Sequence, residues 1–369
     1  MILAHKITMD PTFQQHAYFV RAAGTARFTW NWALARWEEL YAQGQRPTGS
    51  SLKLEFNAIK YEQWPWLTDI HRDAHAQPFA NLQKAWAAFF KGDAERPRFK
   101  KKGKCRDSFY VANDKFRVDG PHIRLPVVGW VRLRESLRFT GKIMGAVVSR
   151  EADRWFVSIQ VDVGDYRRER TGNGVVGVDL GLTTYATLST GEKILGPKPL
   201  RAALRKLQRC SRRVSRRQKG SARRERAKRA LARVHARVKN IRADFCHRLT
   251  SRLCRENQAV GVETLAVANL VRNRRLARAI SDAAWSETLR QLAYKGPIFG
   301  CEVTAADRFE PSSKRCSDCG LVKDELPLSE RVFRCESCGS VRDRDHNAAL
   351  NLVPPAWRKL TAVESHGAR

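Results

Sequence analysis

The chain has 369 residues, enough to bury a full core and to divide into two or more domains, so it is not a small disulfide-stapled scaffold. Its 69 Lys and Arg outnumber 37 Asp and Glu and give a formal net charge of +32, more than an ordinary solvated surface carries. We therefore expect a polyanionic partner, nucleic acid before membrane lipid, because no apolar run is long enough to span a bilayer and no basic helix has an aromatic face.

The cysteines and the first residues indicate the cellular compartment. Four of the nine cysteines form a spaced cluster, and the other five lack the spacing of a disulfide framework: Cys105, Cys210, Cys246, Cys254 and Cys301. Those five are predicted to be reduced thiols. Because the N-terminal residues lack a charged lead followed by an apolar core, no secretory signal is expected, and we predict a cytoplasmic, nucleoid-associated prokaryotic protein.

Helices are predicted in the first quarter of the chain. After a short strand, residues 11–41 have a helical pattern rich in aromatic side chains, which we interpret as a core in preference to a base-stacking surface. A second helix is predicted to begin near Pro78 and to end at Gly92, with Pro78 in the first turn of that helix. Residues 12–92 are therefore predicted to form a helical unit.

A basic loop and a set of strands follow. The loop at residues 96–104 could contact phosphates through Lys100, Lys101 and Lys102, and a merely solvated linker fits the pattern equally well. Beyond the loop, apolar residues alternate with polar ones, and Pro and Gly residues separate the alternating runs. Together with the first strand, this pattern predicts a small antiparallel barrel or sandwich from two stretches, residues 1–11 and 93–165.

A strongly basic helical segment is predicted in the middle of the chain. Residues 201–250 contain nineteen Lys or Arg against Glu225 and Asp244 alone, with a narrow apolar stripe between them. This pattern predicts a long helical arm over residues 200–253 whose cationic face is held partly by nucleic acid. The candidate phosphate contacts on the arm are Arg212, Arg213, Arg216 and Arg217.

Two Cys-x-x-Cys pairs define a metal site near the end of the chain. Cys316 and Cys319 are separated by fifteen residues from Cys335 and Cys338. Two such knuckles are typical of a zinc ribbon, because four thiolates satisfy tetrahedral Zn²⁺. Since a closed four-thiolate site leaves no open coordination position, one structural Zn²⁺ is expected.

Three acidic residues are candidates for a second metal site. Asp179 and Glu263 each end an apolar strand, and Asp345 begins an alanine-rich helical segment after the ribbon. Between Glu263 and Asp345, a helix is predicted from Ser281 through Tyr294, and a third strand is predicted at residues 301–305. Carboxylates at adjacent strand ends, with one from a helix, can hold two Mg²⁺ for phosphodiester hydrolysis, as in the ribonuclease H arrangement, although each acid alone is more often a cap.

Several motifs, in their order and spacing, resemble those of the transposon-encoded TnpB (OrfB) proteins, which are relatives of the type V CRISPR effector nucleases. The similarity covers nearly the whole chain. The motifs are Gly177-Val-Asp-Leu-Gly181, Val262-Glu-Thr-Leu265, Pro311-Ser-Ser-Lys-Arg-Cys-Ser-Asp-Cys-Gly320, Cys335-Glu-Ser-Cys-Gly339 and Asp343-Arg-Asp-His-Asn-Ala-Ala-Leu-Asn351. Supporting similarity lies in Arg27-Phe-Thr-Trp-Asn31, Arg96-Pro-Arg-Phe-Lys100 and Leu125-Pro-Val-Val-Gly-Trp-Val-Arg132.

The resemblance implies a multidomain α+β, RNA-guided DNA endonuclease. Its expected partners are a guide RNA from the transposon end and double-stranded target DNA beside a short adjacent motif, in a monomeric ribonucleoprotein. The implied domains are a wedge-like β-barrel at 1–11 and 93–165, a helical recognition insertion at 12–92, a RuvC-type ribonuclease H domain at 171–305 and 341–369, and the zinc ribbon at 306–340 as a target-nucleic-acid-binding insert.

The resemblance also assigns Asp179, Glu263 and Asp345 as the Mg²⁺-binding catalytic residues, with Asp343 as a weaker alternative to Asp345. Thr264 stands where many family members have Asp. Two other functions stay open. A cut-and-paste transposase uses three acids in the order Asp, Asp, Glu, whereas Glu is in the middle here. A nuclease-inactive regulator would keep the fold and bind DNA by guided occupancy.

Overall fold

The computed structural model describes residues 1–327 and 329–354, which separate into two compact units, the first at Met1–Asp165 and the second beginning at Tyr166. Within the described ranges, no helix combines the length and the apolar character needed to cross a membrane.

The first unit contains a seven-stranded antiparallel sheet with the strand order β2-β6-β7-β1-β5-β4-β3. Its strands are β1 Ile2–Asp10, β2 Ser108–Ala112, β3 Arg117–Asp119, β4 His122–Leu125, β5 Gly129–Leu133, β6 Lys142–Glu151 and β7 Arg154–Asp162. The alternation along β7 buries Trp155, Val157, Ile159 and Val161 on one face, as period-two patterning requires.

The predicted antiparallel strands are therefore present, but the sheet is not hydrogen-bonded into a closed barrel. Among the described residues, β2 pairs with β6 alone and β3 pairs with β4 alone, so both are edge strands. Closing a barrel requires the two edges to pair. The three-residue β3 pairs over its whole length with β4 and makes no second ladder with any described strand.

The helices of the first unit are α1 Phe13–Ala42, α2 Gly49–Gln63 and α3 Arg72–Phe90, with a 3-10 turn at Pro65–Asp69. The prediction for α3 was wrong at its start: the helix begins six residues before Pro78, which lies in its interior. Proline removes one helical hydrogen bond, and Pro78 is buried in the interior of α3 despite that cost. Gly92, at φ +78°, follows the end of α3 as predicted.

The aromatic side chains of these helices form a core. Trp37 stacks on Trp86 at a centroid distance of 5.6 Å, and Trp32 packs edge-on against Phe56 at 5.0 Å. The apolar face of α2, which periodicity had not singled out, contributes Leu52 and Phe56 to the same cluster. The structure therefore uses most of these rings for packing.

The second unit contains a five-stranded sheet with the order β10-β9-β8-β11-β12, in which β8, β11 and β12 are parallel. Its strands are β8 Gly174–Leu180, β9 Ala186–Leu188, β10 Lys193–Ile194, β11 Asn257–Val262 and β12 Glu302–Ala305, and a separate ribbon pairs β13 Val332–Arg334 with β14 Val341–Asp343. Its helices are α4 Pro199–Ser215, α5 Ala222–Glu256, α6 Val267–Leu270, α7 Ala277–Ala283, α8 Trp285–Phe299 and α9 Arg344–Asn351.

The predicted helical arm is in fact a hairpin of two helices, α4 and α5. The chain turns between them, where Gly220 has φ +85° and Ser221 caps α5 by accepting the backbone N–H of Arg224. Each helix has only a narrow apolar stripe, and the two stripes bury each other through Leu207 and Val234. Folding back supplies a packing partner that a single cationic helix lacks.

The helix predicted from Ser281 through Tyr294 is interrupted. Ala284 has φ +58°, which ends α7 and begins α8, and α8 continues to Phe299. An alanine-rich sequence does not indicate that one residue adopts left-handed backbone angles, because alanine favours a continuous helix.

Candidate functional site

Two paired glycines allow α9 to lie directly on the sheet of the second unit. Gly177 of β8 and Gly261 of β11 are partners in the parallel ladder. A Cβ atom at Gly177 would overlap the carbonyl oxygen of Ala349, and one at Gly261 would overlap that of Leu352. The backbone of α9 therefore contacts the two central strands, which brings the start of the helix to the ends of those strands.

We predict that Gly177→Ala displaces α9 and destabilises the second unit by about 1–3 kcal/mol, because an overpacked backbone contact cannot relax by side-chain rotation. Chemical denaturation of the full chain measures this loss. The matched control is Gly24→Ala within α1, where the new Cβ would meet only an arginine nitrogen at 3.8 Å. That control should gain stability slightly, and equal effects at both positions would contradict the close-packing account.

The three predicted carboxylates lie together at this edge of the sheet. Asp179 is on β8, Glu263 directly follows β11, and Asp345 is in the first turn of α9. Asp179 and Glu263 are within hydrogen-bonding distance of each other, and the charge of Asp345 acts on both. Side chains at the ends of adjacent parallel strands meet in this way because the strands end at the same edge.

Burial and like charge change the acidity of these groups. Burial, reinforced by the negative charges of Glu263 and Asp345, raises the pKa of Asp179 to about 8. Burial also raises the pKa of Glu263 above its ordinary value, although hydrogen bonds from Ser312 and Asp179 oppose the shift. Raised pKa values are the expected result when carboxylates cluster with no cation between them.

This titration predicts a pH dependence of stability. Folded Asp179 keeps its proton up to a pKa of about 8, whereas the unfolded residue loses it near 3.8. The folded state therefore binds more protons between these values, so the stability of metal-free protein should fall as pH rises through this window. Asp179→Asn should flatten the fall and stabilise the protein at pH 8 by on the order of 1–3 kcal/mol. Thermal unfolding of both proteins in magnesium-free, zinc-containing buffer measures this pH dependence. A pH profile of Asp179→Asn that is the same as that of the wild type would contradict the prediction.

Asp343, the alternative to Asp345, is engaged elsewhere. Its carboxylate accepts the backbone N–H groups of Asp345 at 3.0 Å and His346 at 3.1 Å, which makes it the N-cap of α9. It also pairs with the ammonium of Lys193 at 2.7 Å. The neighbouring Arg344 guanidinium lies 3.4 Å from Asp345 instead. Asp343 thus positions the helix that carries Asp345.

The carboxylate set fits hard divalent cations. Carboxylate oxygens are the ligands that Mg²⁺ prefers, and like-charged side chains in a partly buried cluster gain from a cation between them. Among the described residues, only the four cysteines bring three or more ligand atoms within 4.8 Å of one another, so the carboxylates are spaced more widely than a single tight cage.

The four ribbon cysteines form the second candidate metal site. The Sγ atoms of Cys316 and Cys338 are 3.7 Å apart, and those of Cys319 and Cys335 are 3.5 Å apart. Thiolates bound to Zn²⁺ at about 2.3 Å in a tetrahedron are separated by about 3.8 Å, so this cluster could hold Zn²⁺. Backbone hydrogen bonds, with that of Cys338 the largest cause, lower the pKa of Cys335 to about 6, which favours the thiolate form.

The predicted phosphate contacts differ in their surroundings. The ammonium of Lys100 lies 3.7 Å from the ring centroid of Trp30, and its backbone is held by Asn31, while Lys101 and Lys102 are exposed. Burial lowers the pKa of Lys100. On the hairpin, Arg212, Arg213, Arg216 and Arg217 are all exposed near the end of α4.

Sequence reasoning missed a cationic cavity near Asp179. It has a volume of about 850 Å³ and includes the residues that directly follow β8, Gly181 to Thr183. Its basic lining consists of Lys198, Arg201, Arg242, Arg274, Arg275 and Arg278. At its wall the buried carboxylate of Asp282 accepts the first backbone N–H groups of α4 and pairs with Arg242 at 3.0 Å. These residues come from four segments, so no local pattern predicted their meeting.

Three family models match the chain. Residues 158–274 match OrfB_IS605, described as "Probable transposase", and residues 285–352 match "Cas12f1-like, TNB domain". Residues 1–46 match a model described as "Helix-turn-helix domain". In the structure that last stretch is β1 followed by the single uninterrupted helix α1, so the description does not fit its geometry.

Whole-length relatives carry a common name. A protein of Streptomyces pristinaespiralis named "Putative RNA-guided DNA endonuclease" is 39% identical over 358 residues, covering 95% of this chain and 88% of the relative. A protein of Escherichia coli K12 with the same description is 33% identical, covering 98% and 94%. A third, from Mycobacterium tuberculosis CDC 1551, is 31% identical and covers 95% and 86%.

Proposed function

Because this chain belongs to the TnpB (OrfB) family of transposon-encoded proteins, we propose that it is an RNA-guided DNA endonuclease. The observation that carries the proposal is the grouping of Asp179, Glu263 and Asp345 at one edge of the second unit's sheet. The names of the whole-length relatives and the net charge of +32 support the same activity. The proposed partners are a guide RNA from the transposon end and double-stranded target DNA.

The three carboxylates would hold two Mg²⁺. When bound, the ions supply a nucleophilic water and stabilise the leaving oxygen of a DNA phosphodiester. The chain's own residues place the ligands: β8 and β11 present Asp179 and Glu263, and Asp343 caps α9 so that Asp345 faces them. Because a metal-binding carboxylate is deprotonated, cation binding would be coupled to proton release from Asp179, whose pKa is raised.

The proposed domains follow the family layout. The second unit would be the RuvC-type nuclease domain, with the α4–α5 hairpin as its basic arm. The zinc ribbon, residues 306–340, would be a target-nucleic-acid-binding insert, a position that fits its location between β12 and α9. The sheet and helices of the first unit would be the wedge and recognition parts, in a ribonucleoprotein with one protein chain.

Cationic residues near the carboxylates would hold the nucleic acids. The cavity lined by Arg201, Arg274 and Arg278 lies beside the residues that follow Asp179, so it could accept the sugar-phosphate backbone of the strand being cut. Lys101, Lys102 and the four exposed arginines at the end of α4 and just beyond it remain candidates for guide or target phosphates. Lys100 is the weaker candidate, because Trp30 and Asn31 already engage it.

A cut-and-paste transposase is the second candidate, because one matching family model is described as "Probable transposase". The order Asp179, Glu263, Asp345 does not follow the Asp, Asp, Glu order of such enzymes. A nuclease-inactive regulator would not need three clustered carboxylates. A strand-transfer assay on transposon ends should be negative for this protein, and a joined product would support the transposase.

The direct test is plasmid cleavage. The protein is purified with co-expressed transposon-end RNA and incubated with Mg²⁺ and a plasmid library that has a randomised flank beside the target. We expect linear plasmid enriched for one short flank, and none when the RNA or Mg²⁺ is omitted. Equal cleavage without RNA would contradict the proposal.

A further inference from the structure

Helix α9 fixes the segment that leads into the first knuckle. Asn347 and Asn351 lie one turn apart on the same face of α9, and both are buried. Asn347 accepts the backbone N–H of Ser317 at 3.0 Å and donates to the carbonyl of Arg315 at 2.7 Å. Asn351 donates to the carbonyls of Ser312 at 2.8 Å and Arg315 at 2.7 Å. One helix thus satisfies the backbone polar groups at three positions of residues 312–317.

The same segment contacts both candidate metal sites. The hydroxyl of Ser312, whose residue is only 6% exposed, donates to Oε1 of Glu263 at 3.1 Å. Four residues later, Cys316 places its Sγ in the cysteine cluster, 3.7 Å from that of Cys338. Because α9 carries Asp345 and also holds this segment, the segment links the Glu263 side chain, the Asp345 helix and the first knuckle.

We propose that Ser312 is a positioning residue for Glu263 and that it couples the cysteine cluster to the carboxylate site. The proposal rests on the metal-binding role of Glu263 in the proposed function. A carboxylate that binds a metal is normally oriented by a hydrogen bond from a neighbour, and losing that partner costs about 10–100-fold in metal affinity. Ser312 suits this role because its backbone is anchored by Asn351.

Manganese binding tests the proposal without RNA or DNA. Mn²⁺ is titrated into the zinc-loaded, RNA-free full chain and followed by electron paramagnetic resonance, and the binding lost in Asp179→Ala defines the carboxylate site. Ser312→Ala should weaken this binding about 10–100-fold with unchanged zinc content. Ser312→Thr keeps the hydroxyl and should stay within a few-fold of wild type. The neighbouring Ser313→Ala is the matched control and should bind as wild type does.

The coupling has its own measurement. Removing zinc from the wild-type chain should weaken Mn²⁺ binding, and removing it from Ser312→Ala should add little, because the two changes act on one contact. Unchanged Mn²⁺ affinity in Ser312→Ala, failure of threonine to restore it, or additive effects of zinc removal would overturn the proposal. A wild-type chain that binds Mn²⁺ at the carboxylates but cleaves no DNA would refute the proposed function alone.

Discussion

Asp179→Ala should reduce DNA cleavage about a thousand-fold or more while the protein still binds guide RNA and target DNA. The carboxylate of Asp179 is grouped with those of Glu263 and Asp345, so its loss would remove one of the three proposed metal ligands. Such ions contribute several kcal/mol of transition-state stabilisation, and each 1.36 kcal/mol is a factor of ten in rate. Binding should survive because the substitution leaves the cationic surfaces untouched.

Single-turnover cleavage and a gel-shift assay measure the two effects separately. Glu302→Gln is the matched control, since Glu302 is an exposed carboxylate on β12 of the same sheet. It should cleave at the wild-type rate. If Asp179→Ala cleaved normally, or if it lost DNA binding as completely as cleavage, the assignment of Asp179 as a metal ligand would be wrong.

Cys316→Ser should lower the bound zinc from one ion per chain to nearly none and should unfold the ribbon. Structural zinc contributes about 10–16 kcal/mol of binding free energy in small zinc-dependent folds, and the ribbon has little other core, mainly the buried Phe333. Since Cys316 belongs to the segment that holds Ser312 against Glu263, cleavage should also fall, by about 10–100-fold at limiting Mg²⁺.

Elemental analysis, limited proteolysis between residues 306 and 340 and cleavage over a range of Mg²⁺ concentrations report on these effects. Cys105→Ser is the control, because Cys105 is a free thiol outside the cluster. A free-standing zinc finger would lose zinc and DNA affinity without changing the Mg²⁺ requirement. That outcome would show that the ribbon does not position the carboxylates.

Local chemistry allowed much of the second unit to be predicted. The acids at the ends of apolar strands and the knuckle spacing are short-range patterns, and the structure brings each set together. The structural reason is simple, because parallel strands end at a common edge and two tight turns converge on one point. The roles of the assembled residues stay predictions until the variants are measured.

Other features depend on contacts between distant residues and left no local pattern. Pro78 is buried inside α3 although proline disfavours a helix interior, and the basic arm folds into a hairpin in which its two apolar stripes bury each other. Ser312 and Glu263 are 49 residues apart, and α9 holds the backbone of Ser312 through Asn351 where its hydroxyl reaches Glu263. The asparagines at 347 and 351 were a usable signal, since buried amides at helical spacing require partners.

Changing the guide is the most direct measurement of the proposed activity. The purified ribonucleoprotein is prepared with either of two RNAs that differ only in the target-pairing segment, and each is incubated with one plasmid that contains both targets beside the same flank. We predict that the cut moves to the target matching the RNA and that Asp179→Ala leaves both intact. Cuts at the same position with either RNA would contradict guided cleavage.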